Sequence, residues 1–93
     1  MTPTELASRI NAARISLVHD GYDVVILDAK AWERPLSPGY QWAVARVYLR
    51  RYSNRVGGCG RLGFIQLAGD DLEWCEVPPE VRSTIEAILR PGR

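Results

Sequence analysis

The residues able to do chemistry are few. His19 is the only histidine, and it stands beside Asp20. A serine–histidine–acid relay needs its acid and imidazole facing one another, and adjacent positions on a helix do not. No Gly-x-Ser-x-Gly elbow is present. Cys59, within Val-Gly-Gly-Cys-Gly, is a thiol that glycines expose, yet a cysteine nucleophile needs a base and only one imidazole exists. His19, Cys59 and Cys75 lack the close paired spacing of zinc sites. Asp70, Asp71, Glu73 and Glu76 form no Asp-x-Asp-x-Asp-Gly loop. Gly58-Cys59-Gly60-Arg61-Leu62-Gly63 fits Gly-x-Gly-x-x-Gly, but a dinucleotide turn must open a helix, and Phe64-Ile65-Gln66-Leu67 reads as a strand. The expectation is a protein that is not an enzyme, with no catalytic residues, no cofactor and no metal. Whether Cys59 pairs with Cys75 stays open.

The richest pattern is an alternation. Tyr40, Trp42, Arg46, Tyr48, Arg50 and Tyr52 fall on one side of a period-two run, and Ala43, Ala45, Val47 and Leu49 on the other. Arg61 extends the first set from the next strand. Tyr, Trp and Arg combine contact area with a polar handle, which suits them to binding hot spots. These seven residues are the candidate partner-binding set. Arg55, Gly57, Gly58, Cys59 and Gly60 read as a glycine-rich, flexible hairpin loop beside it.

The elements that position this face follow from local signals. Thr2 as N-cap, Pro3 and Glu5 open a helix whose apolar stripe is Leu6, Ile10, Ala13 and Leu17, predicted to end near His19–Asp20 with Gly21 as its cap. Residues 22–32 read as a strand with Val25, Leu27, Ala29 and Ala31 on one face and Asp28, Lys30 and Trp32 on the other. Residues 33–39, with two prolines, form a loop. Strands follow at 40–52, 62–67 and 72–77. Pro78 and Pro79 open a second helix with Val81, Ile85, Ile88 and Leu89 as its stripe. The predicted fold is α+β in the order α-β-β-β-β-α, a four-stranded antiparallel meander with both helices packed on one face. The 93 residues make one compact α+β domain.

Composition bounds the function. Hydrophobic residues at 46% and charged residues at 25% belong to ordinary globular chains. The net charge of +1 gives no bulk signal for nucleic acid or membrane. It conceals a basic centre, six Arg and no acid between Arg34 and Gly69, followed by six acids and one Arg from Asp70 to Glu86. No leader or spanning apolar segment is read, so a cytoplasmic protein is expected. The leading expectation is a small non-catalytic module that binds a protein partner by surface occlusion. Its size and lack of motifs are compatible with a phage or mobile-element accessory protein, such as an inhibitor of a bacterial defence system. A domain binding single-stranded nucleic acid through stacked bases and Arg–phosphate contacts is the alternative. A homodimer closed across the same face is a further one.

Overall fold

The computed structural model describes the backbone of residues 1–19, 23–53 and 58–90, and the side chains of residues 1–18, 27–52 and 60–90. In chain order the elements are α1 (Pro3–Ala12), β1 (Ser16–His19), β2 (Asp23–Arg34), β3 (Val44–Ser53), β4 (Gly58–Ala68), β5 (Asp71–Cys75) and α2 (Pro79–Leu89). The strands pair in sequence order, β1-β2-β3-β4-β5, each antiparallel to the next. The expected α+β meander of four strands between two helices is present as β2 to β5, and β1 adds a fifth strand at one edge.

α1 starts as its sequence dictates. The Thr2 hydroxyl accepts from the Glu5 N–H at 3.1 Å, and Pro3 occupies the first turn, where its missing N–H costs nothing. Its end differs from expectation: the helix stops at Ala12, not near His19. Arg14 takes a left-handed φ of 50° without being glycine. The chain then extends so that Ile15 is buried and its carbonyl accepts from Leu27 N–H at 3.1 Å. Pairing with β2 outweighs the helical spacing of Leu6, Ile10, Ala13 and Leu17.

β2 and β3 run in register from Val25↔Ser53 to Arg34↔Val44. β3 begins at Val44, four residues later than the alternation suggested. The reason is a turn over Ser37-Pro38-Gly39-Tyr40, closed by Tyr40 N–H to the Ser37 carbonyl at 3.0 Å, with Gly39 at φ 91°. Proline followed by a positive-φ glycine is the type II arrangement. Tyr40 and Trp42 therefore lie in the loop ahead of β3 and not on its ladder.

Gly58, Cys59 and Gly60, read from sequence as loop, pair with Ser53, Tyr52 and Arg51 as the first residues of β4. Arg55 and Gly57 lie outside the described residues. β4 continues as a strand through Gly63, so no helix follows the glycine pattern. A bulge at Leu62 lets Arg61 oppose Arg50 while Leu62 turns into the core.

The core lies between the sheet and the helices. Leu6, Ala7 and Ile10 of α1 and Val81 and Ile85 of α2 meet Leu27, Ala29, Val47, Leu49, Leu62 and Ile65. Leu6, Ile10, Val47, Leu49, Ile65, Val81 and Ile85 are wholly enclosed, each contributing roughly 1.5–3 kcal/mol by burial. Both helices occupy one face. The opposite face, carrying Asp28, Lys30 and Trp32 of β2 and Arg46, Tyr48 and Arg50 of β3, is covered by no second layer among the described residues, and the molecule is only 20 Å across its thinnest extent. No described helix is long and apolar enough to cross a membrane.

Candidate protein-binding face

Registers define the uncovered face residue by residue. Trp32 opposes Arg46, which opposes Gln66. Lys30 opposes Tyr48, which opposes Phe64, which opposes Cys75. Asp28 opposes Arg50, which opposes Arg61. Side chains of directly opposed residues share a face, so these rows form one surface. Of the sequence-predicted set, Arg46, Tyr48, Arg50, Tyr52 and Arg61 are brought together here.

The centre of this surface is largely paired within the chain. The Tyr48 ring lies 5.6 Å from Phe64 and 6.4 Å, edge-on, from Trp32. Arg61 covers Tyr48 at 5.3 Å and Arg46 covers Phe64 at 4.6 Å, measured to the ring centroids. Arg46 also donates to Gln66 Oε1 at 3.1 Å and to the Tyr48 hydroxyl at 3.4 Å. Arg50 is bound to Asp28 Oδ2 at 2.5 Å. Each cation–π contact is worth about 0.5–1 kcal/mol at such a half-exposed site. The arginines of the ladder thus cover rings and neutralise a carboxylate within the chain.

The unsatisfied apolar surface sits at one end, where β2 and β3 join. Trp32, Leu36, Tyr40 and Trp42 are 42%, 66%, 51% and 71% exposed. Arg34 organises this end: its guanidinium lies 4.3 Å over the Tyr40 ring and donates to the Trp42 carbonyl at 3.3 Å. Because Arg34 opposes Val44, the segment between them is one closed hairpin end, and these side chains are neighbours by topology. Sequence reasoning placed Trp32 on the correct face without assigning it to the site. Leu36, Arg34 and Phe64 carried no signal until the pairing registers were known.

Acids border the far side. Glu73 opposes Gln66 and Asp71 opposes Ala68, so β5 contributes carboxylates to the same face. Among the described residues no three His, Cys, Asp or Glu side chains gather as a metal set. A cleft of about 540 Å³ lies elsewhere, between α2 and the β4–β5 hairpin, with Trp74, Leu72 and Leu89 in its lining. Its Arg82 is committed to Glu86 at 2.6 Å and to the Trp74 ring at 5.4 Å. Cys75 is a half-buried free thiol. It opposes Phe64, five positions along β4 from Cys59, about 16 Å at strand rise. A disulfide needs Cα atoms within roughly 7 Å, so the two cysteines of one chain do not pair in this fold.

Comparison with protein-family models, with curated proteins and with solved structures gives no significant match for this chain.

Proposed function

We propose that the chain is a non-catalytic protein-binding module whose contact surface is the hairpin end of the open sheet face. The observation that carries this reading is the concentration there of Trp32, Leu36, Tyr40 and Trp42, four of the seven large hydrophobics left exposed among the described residues. Folding gains nothing from presenting them, whereas a partner that buries them gains about 25 cal/mol per Å² of apolar area. Trp42 and Tyr40 serve as anchors, Arg34 fixes their loop, and Trp32 continues the patch onto the sheet. Arg46, Tyr48, Arg50 and Arg61 form the rigid platform behind it. Such a surface acts by occlusion, covering a partner's own site without a reaction.

Charge supports a protein in preference to a nucleic acid. Asp28 holds Arg50, and Asp71 and Glu73 line the β5 side of the same face. A phosphate backbone crossing the sheet meets carboxylates there.

The test is capture of partners from native lysate with the wild-type chain and with Trp42→Ala, compared by quantitative mass spectrometry. Proteins retained by the first and lost with the second support the reading. In parallel, fluorescence anisotropy with single-stranded and duplex oligonucleotides at roughly 50 and 200 mM salt reads the alternative. Tight binding that collapses with salt overturns the protein reading, and a concentration-dependent mass abolished by Trp42→Ala replaces it with self-association.

A further inference from the structure

We infer that the outer edge of β2 at Ala31–Glu33 docks an extended peptide strand in which two acidic side chains flank an apolar one. This rests on the protein-binding reading above and names the partner's chemistry and how it is held.

β2 outruns the strand that covers it. β1 pairs from His19↔Asp23 to Ser16↔Ile26, and Leu27 N–H then reaches the Ile15 carbonyl. One step further the Asn11 carboxamide takes both backbone groups of Ala29. In an antiparallel strand the N–H and C=O of one residue point to the same side, and the side alternates along the chain. Leu27 and Ala29 therefore set the phase, and Ala31 and Glu33 also point away from β3. Among the described residues no strand or side chain hydrogen-bonds them there. Consecutive outward N–H and C=O groups on an edge are a template for an added strand.

The flanking side chains select the occupant. A strand added here sets its residues opposite Lys30, Trp32 and Arg34, all on the open face. Lys30 is exposed and makes no ion pair among the described residues, Trp32 is an exposed ring, and Arg34 is held over Tyr40. The complementary order is acid, apolar, acid. Lys30 and Arg34 repel basic strands and would lose hydration without compensation against uncharged ones, as edge cations do, but attract this one. A second copy of the chain paired symmetrically about Trp32 is disfavoured, because that register sets Lys30 against Arg34, like charges directly opposed.

The probe is the synthetic peptide Ac-Thr-Glu-Thr-Ile-Thr-Glu-Thr-NH2, titrated calorimetrically into the full chain. Binding is expected, and replacing both Glu by Lys should abolish it. N-methylation of the two inner Thr, whose N–H groups face the edge, should weaken binding at least about tenfold. Ala31→Pro should do the same, because it deletes the outward N–H while leaving the hydrogen bonds to β3 in place, and its melting curve is recorded beside the titration. If that variant fails to fold, the N-methylated peptide on the wild-type chain decides. Binding that survives N-methylation and Ala31→Pro but is lost in Trp42→Ala overturns edge docking and leaves the protein-binding reading standing. No binding at millimolar peptide overturns the edge site as well, and the lysate capture then judges the broader reading by itself.

Discussion

Asn11 is bonded twice to the backbone of Ala29: its Nδ2 donates to the Ala29 carbonyl and its Oδ1 accepts from the Ala29 N–H, each at 2.8 Å. A side-chain amide at the end of α1 thereby imitates the next residue of β1, capping β2 where β1 has already turned into helix. Asn11→Ala leaves a donor and an acceptor of Ala29 unsatisfied in a half-buried position, which costs about 1–3 kcal/mol. For a chain this small that lowers the melting temperature by roughly 4–8 °C per kcal/mol. Asn11→Asp should lose part of the same amount, since its carboxylate still accepts from the N–H but opposes the carbonyl oxygen. Thermal melts of the two variants, read by circular dichroism, check the ordering Ala worse than Asp worse than wild type.

Gly63 and Gly69 both have positive φ, at 103° and 63°, but only one is sterically enclosed. A Cβ on Gly63 would lie 2.3 Å from the Cys75 carbonyl oxygen and 2.7 Å from the Glu76 carbonyl, both backbone atoms at the end of β5. Nothing lies within 4 Å of a Cβ on Gly69, which occupies the first position of the two-residue β4–β5 turn. Gly69→Ala should cost about 1 kcal/mol from backbone strain alone. Gly63→Ala adds a clash that can be relieved only by moving β5, so a loss above about 3 kcal/mol, or failure to fold, is expected. Urea midpoints of the two variants give the contrast directly; equal midpoints would show that β5 is free to shift.

The aromatic residues of the open face divide into those that hold the sheet and those that are presented. Tyr48 contacts Trp32 and Phe64 and lies beneath Arg61. Tyr48→Ala should cost about 2–3 kcal/mol, because it removes ring packing and uncovers its neighbours. Trp42 is 71% exposed, and Trp42→Ala should stay within about 0.5 kcal/mol of wild type. Denaturation curves for both, beside partner capture, distinguish platform from anchor. A Trp42 variant that unfolds removes the basis for reading its ring as an anchor.

How much of this was legible in sequence depends on the range of the signal. The start of α1 was readable because Thr2, Pro3 and Glu5 act within one turn. β3 was readable because its alternation separates Ala45, Val47 and Leu49 from Arg46, Tyr48 and Arg50. β1 was missed because Leu6, Ile10, Ala13 and Leu17 keep a helical spacing across the true boundary, and Arg14 breaks the helix without a glycine or proline. Asp20-Gly21, between two apolar runs, is as much a hairpin signature as a helix stop. The loop status of Tyr40 and Trp42 was available in Ser37-Pro38-Gly39-Tyr40, where the type II turn has its favoured residues, but the alternation continued through it. The Arg–ring and Asp28–Arg50 partnerships could not be read at all, since they depend on which residues the registers set opposite one another.

The spacing of the two cysteines gives a last prediction. Strand pairing sets Cys75 beside Phe64 and Cys59 beside Tyr52, so the cysteines lie far apart on neighbouring strands. Joining them would require β4 to slip by about five residues against β5, which moves Ile65 and Leu67 out of their places against the helices. Oxidation in a glutathione buffer should therefore leave the intact mass without the loss of two hydrogens that an internal disulfide produces. Mixed disulfides or crosslinked dimers are the products the fold permits. An internal crosslink formed under native conditions, with the melting temperature kept or raised, would mean that β4 and β5 pair in a different register. The placement of Glu73 and Asp71 on the open face, and with it the charge argument against nucleic acid, would then fall.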